Sequence, residues 1–167
     1  MIPSYAFNLC SALQKFVIPY RVTKINSNAF TNCTKLTEVS IPRATETIAN
    51  NVFSYPEKMT IYGVSGTYAE TYAGEIGATF VDHEVPVTSM EFNKTTVKLL
   101  ARGTETLYVK ISPSDFTDVI TWRSSDTAVA TVDQTGKIQG VAAGTATISA
   151  LAGDSGDVKA TCEVEVL

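Results

Sequence analysis

Ile2–Pro19 reads IPSYAFNLCSALQKFVIP, and Ile25–Pro42 reads INSNAFTNCTKLTEVSIP. Set one above the other, they agree at Ile2/Ile25, Ala6/Ala29, Phe7/Phe30, Cys10/Cys33, Leu13/Leu36, Ile18/Ile41 and Pro19/Pro42, each pair 23 residues apart. A third copy starts at Ile48 and keeps Val52, Phe53, Pro56 and Met59 in step, then shortens before Ile61. Self-similarity at such a period marks a repeat architecture. Within a unit, Leu36-x-x-Val39-x-Ile41-Pro42 alternates and ends at proline, which predicts a short strand. Ile25 to Cys33 spaces its apolar residues at i, i+4, i+5 and i+8, which predicts a helical turn or two over the strand's back. A unit this small cannot close its own core. Neighbours must stack and bury one another's apolar edges, so the expected architecture is a short α/β solenoid.

The pattern A-F-x-x-C-x-x-L-x-x-V-x-I-P at this period resembles the BspA-type leucine-rich repeats of bacterial surface proteins, over residues 2–81. By the same resemblance, Ile61-Tyr62-Gly63, Tyr68-Ala69-x-x-Tyr72-Ala73 and Thr79-Phe80-Val81 look like the segment that closes such arrays. Tyr68 to Gly74 has helical spacing with Ala and Tyr on one face, suited to covering the last unit. About two and a half units are present, where three or more usually make an array stable. No polar cap precedes Ile2, so the first unit is expected to fray or to dimerise end to end. The opening Met1-Ile2-Pro3-Ser4-Tyr5-Ala6-Phe7 shows no basic stretch followed by an apolar core. Either the protein is cytosolic or Met1 stands in front of a mature fragment; because the opening falls partway through a repeat, the second is expected, with further coils upstream.

Asp82-His83-Glu84-Val85-Pro86 is short and polar and ends in a residue that disfavours helix before it, which places a junction there. The expected domains are 1–84 and 85–167. Beyond the junction every run alternates: Val87–Phe92, Thr96–Leu100, Thr106–Ile111, Val119–Trp122, Ala128–Val132, Lys137–Val141, Thr145–Leu151 and Val158–Val166 are strand candidates. Turn residues separate them at Arg102-Gly103, Ser112–Asp115, Asp133–Gly136, Ala143-Gly144 and Gly153–Asp157. Short strands with frequent turns describe an all-β sandwich or barrel. Trp122, Ser124, Ser125, Asp126, Ala130, Val132, Asp133, Gly136, Gly144, Thr145 and Ile148 fall on a pattern that resembles the group 2 bacterial immunoglobulin-like domain, over residues 87–166. The fold that follows is a leucine-rich-repeat solenoid joined to an immunoglobulin-like sandwich. In the sandwich Trp122 is expected to fill the space between sheets. Cys162 has no cysteine partner in this half, so packing alone must hold it.

Composition narrows the function classes. Of 167 residues 44% are apolar and 18% charged, with 23 Thr and 17 Val, a composition suited to half-exposed pleated surfaces. The formal net charge of −4 gives no reason to expect a nucleic-acid partner. Apolar runs fall far short of the ~20 residues that span a bilayer, so this stretch is not expected to insert in a membrane. The only imidazole, His83, sits on the expected linker. No G-x-S-x-G, H-E-x-x-H or glycine-rich phosphate loop occurs. Ser124 and Ser125 match structural positions of the immunoglobulin-like pattern, and Glu38 and Glu46 look like solvated charges. The expectation is no enzyme, no catalytic residue and no cofactor.

Cys10 and Cys33 occupy matching places in successive repeats. Stacked units would bring them near a disulfide's Cα separation, but parallel side chains rarely reach the torsion required. Buried free thiols are the favoured reading, and metal binding is the weakest, with no C-x-x-C pair.

The open face of the repeat strands is the candidate binding surface. There Lys15 and Val17 line one rung, Glu38 and Ser40 the next, and Tyr62 the third. Three rungs offer far less than the ~800 Å² per partner of a stable interface, which favours the opposing reading, a merely solvated sheet face. A second candidate is the acidic end of the sandwich, where a meander would collect Asp115, Asp118, Asp133, Asp154 and Asp157. Calcium takes six to eight oxygens, yet Asp also favours turns for its own backbone bonds, so no metal site is assigned. Asn93-Lys94-Thr95 is an N-glycosylation sequon with little meaning in a bacterium. The two resemblances imply a secreted or surface-attached bacterial module that adheres to a host or neighbouring-cell macromolecule, protein or glycan. The alternative is a structural stalk segment whose recognition lies elsewhere.

Overall fold

The structure, a computed structural model, describes residues 1–153 and 156–167. They form two compact units, Met1–Val85 with Asp115–Asp118, and Pro86–Ser114 with Val119–Leu167. Both are mostly β, and the described residues hold a single α-helix.

In the first unit β1 (Lys15–Val17), β3 (Glu38–Ser40), β5 (Thr60–Gly63) and β6 (Thr79–Asp82) lie side by side in that order, all parallel. β2 (Lys24–Ile25) and β4 (Thr47–Ile48) form a second parallel ladder. The registers carry the repeat period. Lys15 faces Glu38, Ile2 faces Ile25, Ile25 faces Ile48 and Phe30 faces Phe53. Glu38 then faces Thr60, one residue short of the period, as the shortened third copy requires. Three phenylalanines 23 apart stack through the core: Phe7 and Phe30 lie 4.9 Å apart at 9°, Phe30 and Phe53 5.5 Å apart at 26°. Thr45, itself buried, donates its hydroxyl to the Val22 carbonyl at 2.8 Å and ties two successive units together.

The expected helical turns over Ile25–Cys33 are absent; the segment is a run of turns. Backbone handedness is the reason. Tyr5, Asn28 and Asn51 have φ of 61°, 61° and 59°, and Leu9 and Asn32 have 65° and 61°. A left-handed residue ends a right-handed helical run, and Asn tolerates that conformation better than most side chains. The turns satisfy their amides between units instead. Phe7 N donates to Ala29 O at 2.8 Å, Leu9 N to Thr31 O at 3.0 Å, Asn28 N to Asn51 O at 3.1 Å and Phe30 N to Val52 O at 3.0 Å.

The cysteines are all free. Cys33 is buried and its Sγ donates to the Phe7 carbonyl at 3.0 Å, while burial pushes its thiol pKa up. Cys10 is exposed, contrary to the expected pair of buried thiols, whereas its counterpart Cys33 is enclosed against the Phe7 carbonyl of the preceding repeat.

α1 (Tyr68–Ile76) closes the stack, burying Ala69, Tyr72 and Ala73. Tyr72 meets Phe53 with ring centroids 6.3 Å apart. Gly63 permits the approach: a Cβ there would sit 2.7 Å from the Ala69 Cβ.

The second unit consists of short, mostly antiparallel strands. β11 (Ile120–Ser124), β14 (Gly144–Ala152), β15 (Lys159–Val166) and β8 (Thr96–Leu99) form one sheet in that order. β12 (Ala130–Val132), β13 (Lys137–Gly140) and β9 (Thr104–Thr106) form another, and β10 (Val109–Ser112) pairs with β7 (Ser89–Phe92). β8 runs parallel to β15, so the strands are no simple meander. The single strand expected over Thr106–Ile111 is two. The chain leaves β13 after Thr106 and joins β7 at Val109, and between them Leu107 is fully buried. A strand that switches sheets must bend, and alternation alone does not reveal the bend. Trp122 is 3% exposed and stacks on Phe92 at 5.0 Å and 16°. Gly136 (φ 84°) sits so close that a Cβ would fall 2.5 Å from the Leu107 carbonyl oxygen and 2.9 Å from the Trp122 ring. Cys162 is a buried free thiol with its pKa pushed up by desolvation.

Candidate functional site

Strand parity builds the site. Phe16, Val39, Ile61 and Phe80 are register partners and face the core. Their neighbours point the other way, in two rungs: Lys15, Glu38, Thr60 and Thr79, then Val17, Ser40, Tyr62 and Val81. Lys15, Val17, Glu38, Ser40 and Tyr62 line one hollow of about 190 Å³, together with Phe16 and His83.

Lys15 Nζ lies 2.8 Å from Glu38 Oε2 across the ladder. The hydrogen bond to Glu38, reinforced by its charge, holds the Lys15 pKa above the ordinary lysine value. The Lys15 side chain is 70% exposed, so water screens the pair and it adds little to stability. What it provides is local: a cationic donor and an anionic acceptor fixed side by side, with no surplus charge. Tyr62 is half-buried, and the His83 ring meets it edge-on, centroids 5.9 Å apart at 76°.

His83 is the residue the sequence reading misplaces. Its backbone N–H donates to the Gly63 carbonyl at 2.7 Å, so it continues the β6 ladder instead of lying on a bare linker. The signal was present: Thr79, Val81 and His83 share one parity, and extending the strand by two residues puts the imidazole on the face of Tyr62.

The other candidates have structural partners. Ser124 Oγ donates to the Ala130 carbonyl at 2.6 Å, and Ser125 Oγ accepts from Thr147 N at 2.8 Å. Asp133 Oδ1 accepts from the Thr135 hydroxyl at 2.6 Å and from the amides of Thr135 and Lys137 at 2.7 and 3.1 Å. The Thr135 hydroxyl, above all, holds the Asp133 carboxyl below its usual value. Asp115 and Asp118 belong to the first compact unit, Asp133 and Asp157 to the second, and Asp154 lies outside the described residues. Among the described residues no three His, Cys, Asp or Glu side chains gather as metal ligands, and no helix is long and apolar enough to cross a membrane.

Parallel repeat strands closed by a helix, followed by short strands sandwiching a tryptophan, define a two-part repeat and immunoglobulin-like protein. The families are specific: residues 1–72 match the BspA type leucine rich repeat region (6 copies), and residues 86–164 match the bacterial Ig-like domain (group 2). Each part of the chain thus matches one family model.

Among curated proteins, an uncharacterized protein of Clostridium acetobutylicum is 34% identical over 102 residues, covering 60% of this chain and 10% of its own length. Lacto-N-biosidase of Bifidobacterium bifidum is 39% identical over 66 residues, covering 39% of this chain and 6% of its own. The chain thus spans a tenth or less of the length of these two relatives. Among solved structures, domains 4 and 5 of the S-layer protein SbsC are 22% identical with a TM-score of 0.41, covering 54% of this chain and 57% of that one. A C-terminal 282-residue fragment of intimin in complex with the intimin-binding domain of its translocated receptor is 22% identical with a TM-score of 0.36, covering 53% and 32%.

Proposed function

We propose that this chain is a non-enzymatic, secreted or cell-surface binding module of a bacterium. The repeats act as a short solenoid that presents a binding face, and the immunoglobulin-like part spaces that face from the cell envelope. The partner is a macromolecule of a host or neighbouring cell surface. One observation carries the reading: side chains from three successive repeats, Lys15 and Val17, Glu38 and Ser40, and Tyr62, converge on a single hollow away from the core. The match of the two parts to models of BspA type repeats and of a bacterial Ig-like domain supports an extracellular setting.

The hollow also brings Ser40 and His83 together with Glu38, the residue types of a hydrolytic triad. Nucleophilic catalysis needs the nucleophile within hydrogen-bond reach of its base. Among the described residues no hydrogen bond joins Ser40 to His83, and Glu38 is engaged by Lys15. This favours binding over catalysis.

The test is an array of host-cell surface proteins and glycans probed with the whole chain, the Tyr62→Ala variant and the Lys15→Glu variant. Binding to at least one surface molecule, lost in both variants, is the expected result. A chain that binds nothing on the array is a stalk segment, and the binding reading fails.

A further inference from the structure

We infer that the hollow on the repeat face is a subsite for one neutral sugar ring, a hexose or N-acetylhexosamine presented by a surface glycan. The inference rests on the binding role proposed above and names the chemistry of its ligand. Size is the first argument. Ligand pockets for drug-sized molecules run to ~300–1,000 Å³, whereas this one holds about 190 Å³. The surrounding face is small too. Four strands about 4.8 Å apart and three or four residues long, at ~3.3 Å per residue, span on the order of 200 Å². A stable protein interface takes ~800 Å² from each partner, so a folded protein docking here gains too little.

Charge is the second argument. Lys15 and Glu38 neutralise one another at 2.8 Å, so the pair itself offers no net charge to a phosphate, a sulfate, or an acidic or basic peptide. The same pair offers what vicinal hydroxyls need, a charged donor beside a charged acceptor. Hydrogen bonds to ionised groups are about twice as strong as neutral ones. Ser40 adds a hydroxyl at the same wall.

The third argument is the aromatic wall. Tyr62 is only half-buried, and His83 meets it at 76°, so no parallel ring is stacked on it by that pair. A pyranose has one face of C–H groups and a rim of hydroxyls, and tyrosine pairs an apolar ring with a polar tip in the same way. Ring, ion pair and hydroxyl within one ring-sized hollow fit a sugar better than an aliphatic side chain, which would strand the charges.

The experiment titrates the isotope-labelled 167-residue chain with glucose, galactose, N-acetylglucosamine and N-acetylgalactosamine, each to its solubility limit. N-acetylneuraminic acid is the charged comparison. At least one neutral sugar is expected to move the amides of residues 15–17, 38–40, 62 and 83 and to leave the second unit still. Tyr62→Ala and Tyr62→Leu are expected to weaken that response about tenfold, the loss of roughly 1.4 kcal/mol, and Lys15→Ala to weaken it in the same direction. Tyr108→Ala, in the open depression between β7 and β10, is expected to change nothing. Unmoved amides with every neutral sugar overturn the inference, as does a response that survives Tyr62→Leu or one given by the acid sugar alone. Capture of an unglycosylated surface protein through this face, with no sugar response, also overturns it while leaving the binding role standing. Failure to bind any surface molecule sinks both.

Discussion

Replacing Phe30 by Ala removes the middle ring of the column that joins three repeats. Phe30 is fully buried, with the rings of Phe7, Phe16 and Phe53 at 4.9, 5.0 and 5.5 Å. Burial of this kind makes a Phe→Ala change cost about 3–5 kcal/mol, including the cavity it leaves. A unit of about ninety residues has a total stability of roughly 4–13 kcal/mol, so the loss is a large share of it. At ~4–8 °C per kcal/mol for a domain of this size, the midpoint falls by about 12 °C or more. The assay is thermal unfolding followed by far-UV circular dichroism and by tryptophan fluorescence. The sole tryptophan, Trp122, belongs to the second unit, so its signal reports the sandwich and dichroism adds the repeats. The dichroism transition assigned to the repeats is expected to move by that amount and the Trp122 transition to stay near its original midpoint. Phe30→Leu, which keeps most of the volume, is expected to cost less than about 1.5 kcal/mol. A shift of only a few degrees for Phe30→Ala would refute the reasoning, because it would mean the ring is not enclosed by residues from the units on both sides.

Gly136→Ala places a Cβ 2.5 Å from the Leu107 carbonyl oxygen at a φ of 84°; the expected cost is about 2–4 kcal/mol, read as an earlier Trp122 transition in urea. Thr45→Val keeps shape but strips the hydroxyl that serves the Val22 carbonyl at 2.8 Å, so the repeats are expected to lose about 1–3 kcal/mol; a neutral outcome in denaturant titration contradicts the inter-unit tie. Acid weakens the second unit in a stated direction. The hydrogen bond from Lys94, at 2.9 Å, depresses the Glu105 pKa, and the Thr135 hydroxyl depresses that of Asp133. A lowered folded pKa contributes stability that is fully present above the unfolded values, about 4.3 and 3.9. It is lost as pH falls through the folded values. The second unit's midpoint is therefore expected to hold between pH 7 and about pH 5 and to drop below pH ~4. The double variant Glu105→Gln, Asp133→Asn should flatten that decline, and an unchanged acid limb counts against it.

The repeat was legible because a stacked unit has to place like residues in like positions. Offset alone therefore gave the partners Lys15 and Glu38, or Phe7 and Phe30, without any knowledge of the chain path. Parity then gave the open face, since a three-residue strand has only two sides. The turn segment was misread because Ile25, Ala29, Phe30 and Cys33 satisfy a helical spacing by composition. The left-handed residues that forbid a helix, Asn28 and Asn32, differ from other polar residues only by tolerating positive φ. His83 was missed for a boundary reason: the polar run 82–86 reads as a linker, although the ladder bond from its amide to Gly63 extends the strand. In the second unit turns and alternation located nearly every strand. They said nothing of the sheet switch at Leu107, which depends on the two ladders the chain joins on either side of it.

The relation between the repeats bears on everything else, because the hollow exists only if successive repeats lie above one another. The direct measurement is a nuclear Overhauser spectrum of the whole chain with selectively labelled phenylalanine rings. Phe30 ring protons are expected to show contacts with both Phe7 and Phe53, alongside backbone contacts between Ile25 and Ile48. If Phe30 instead contacts only residues near it in sequence, the stack is absent and the shared face goes with it.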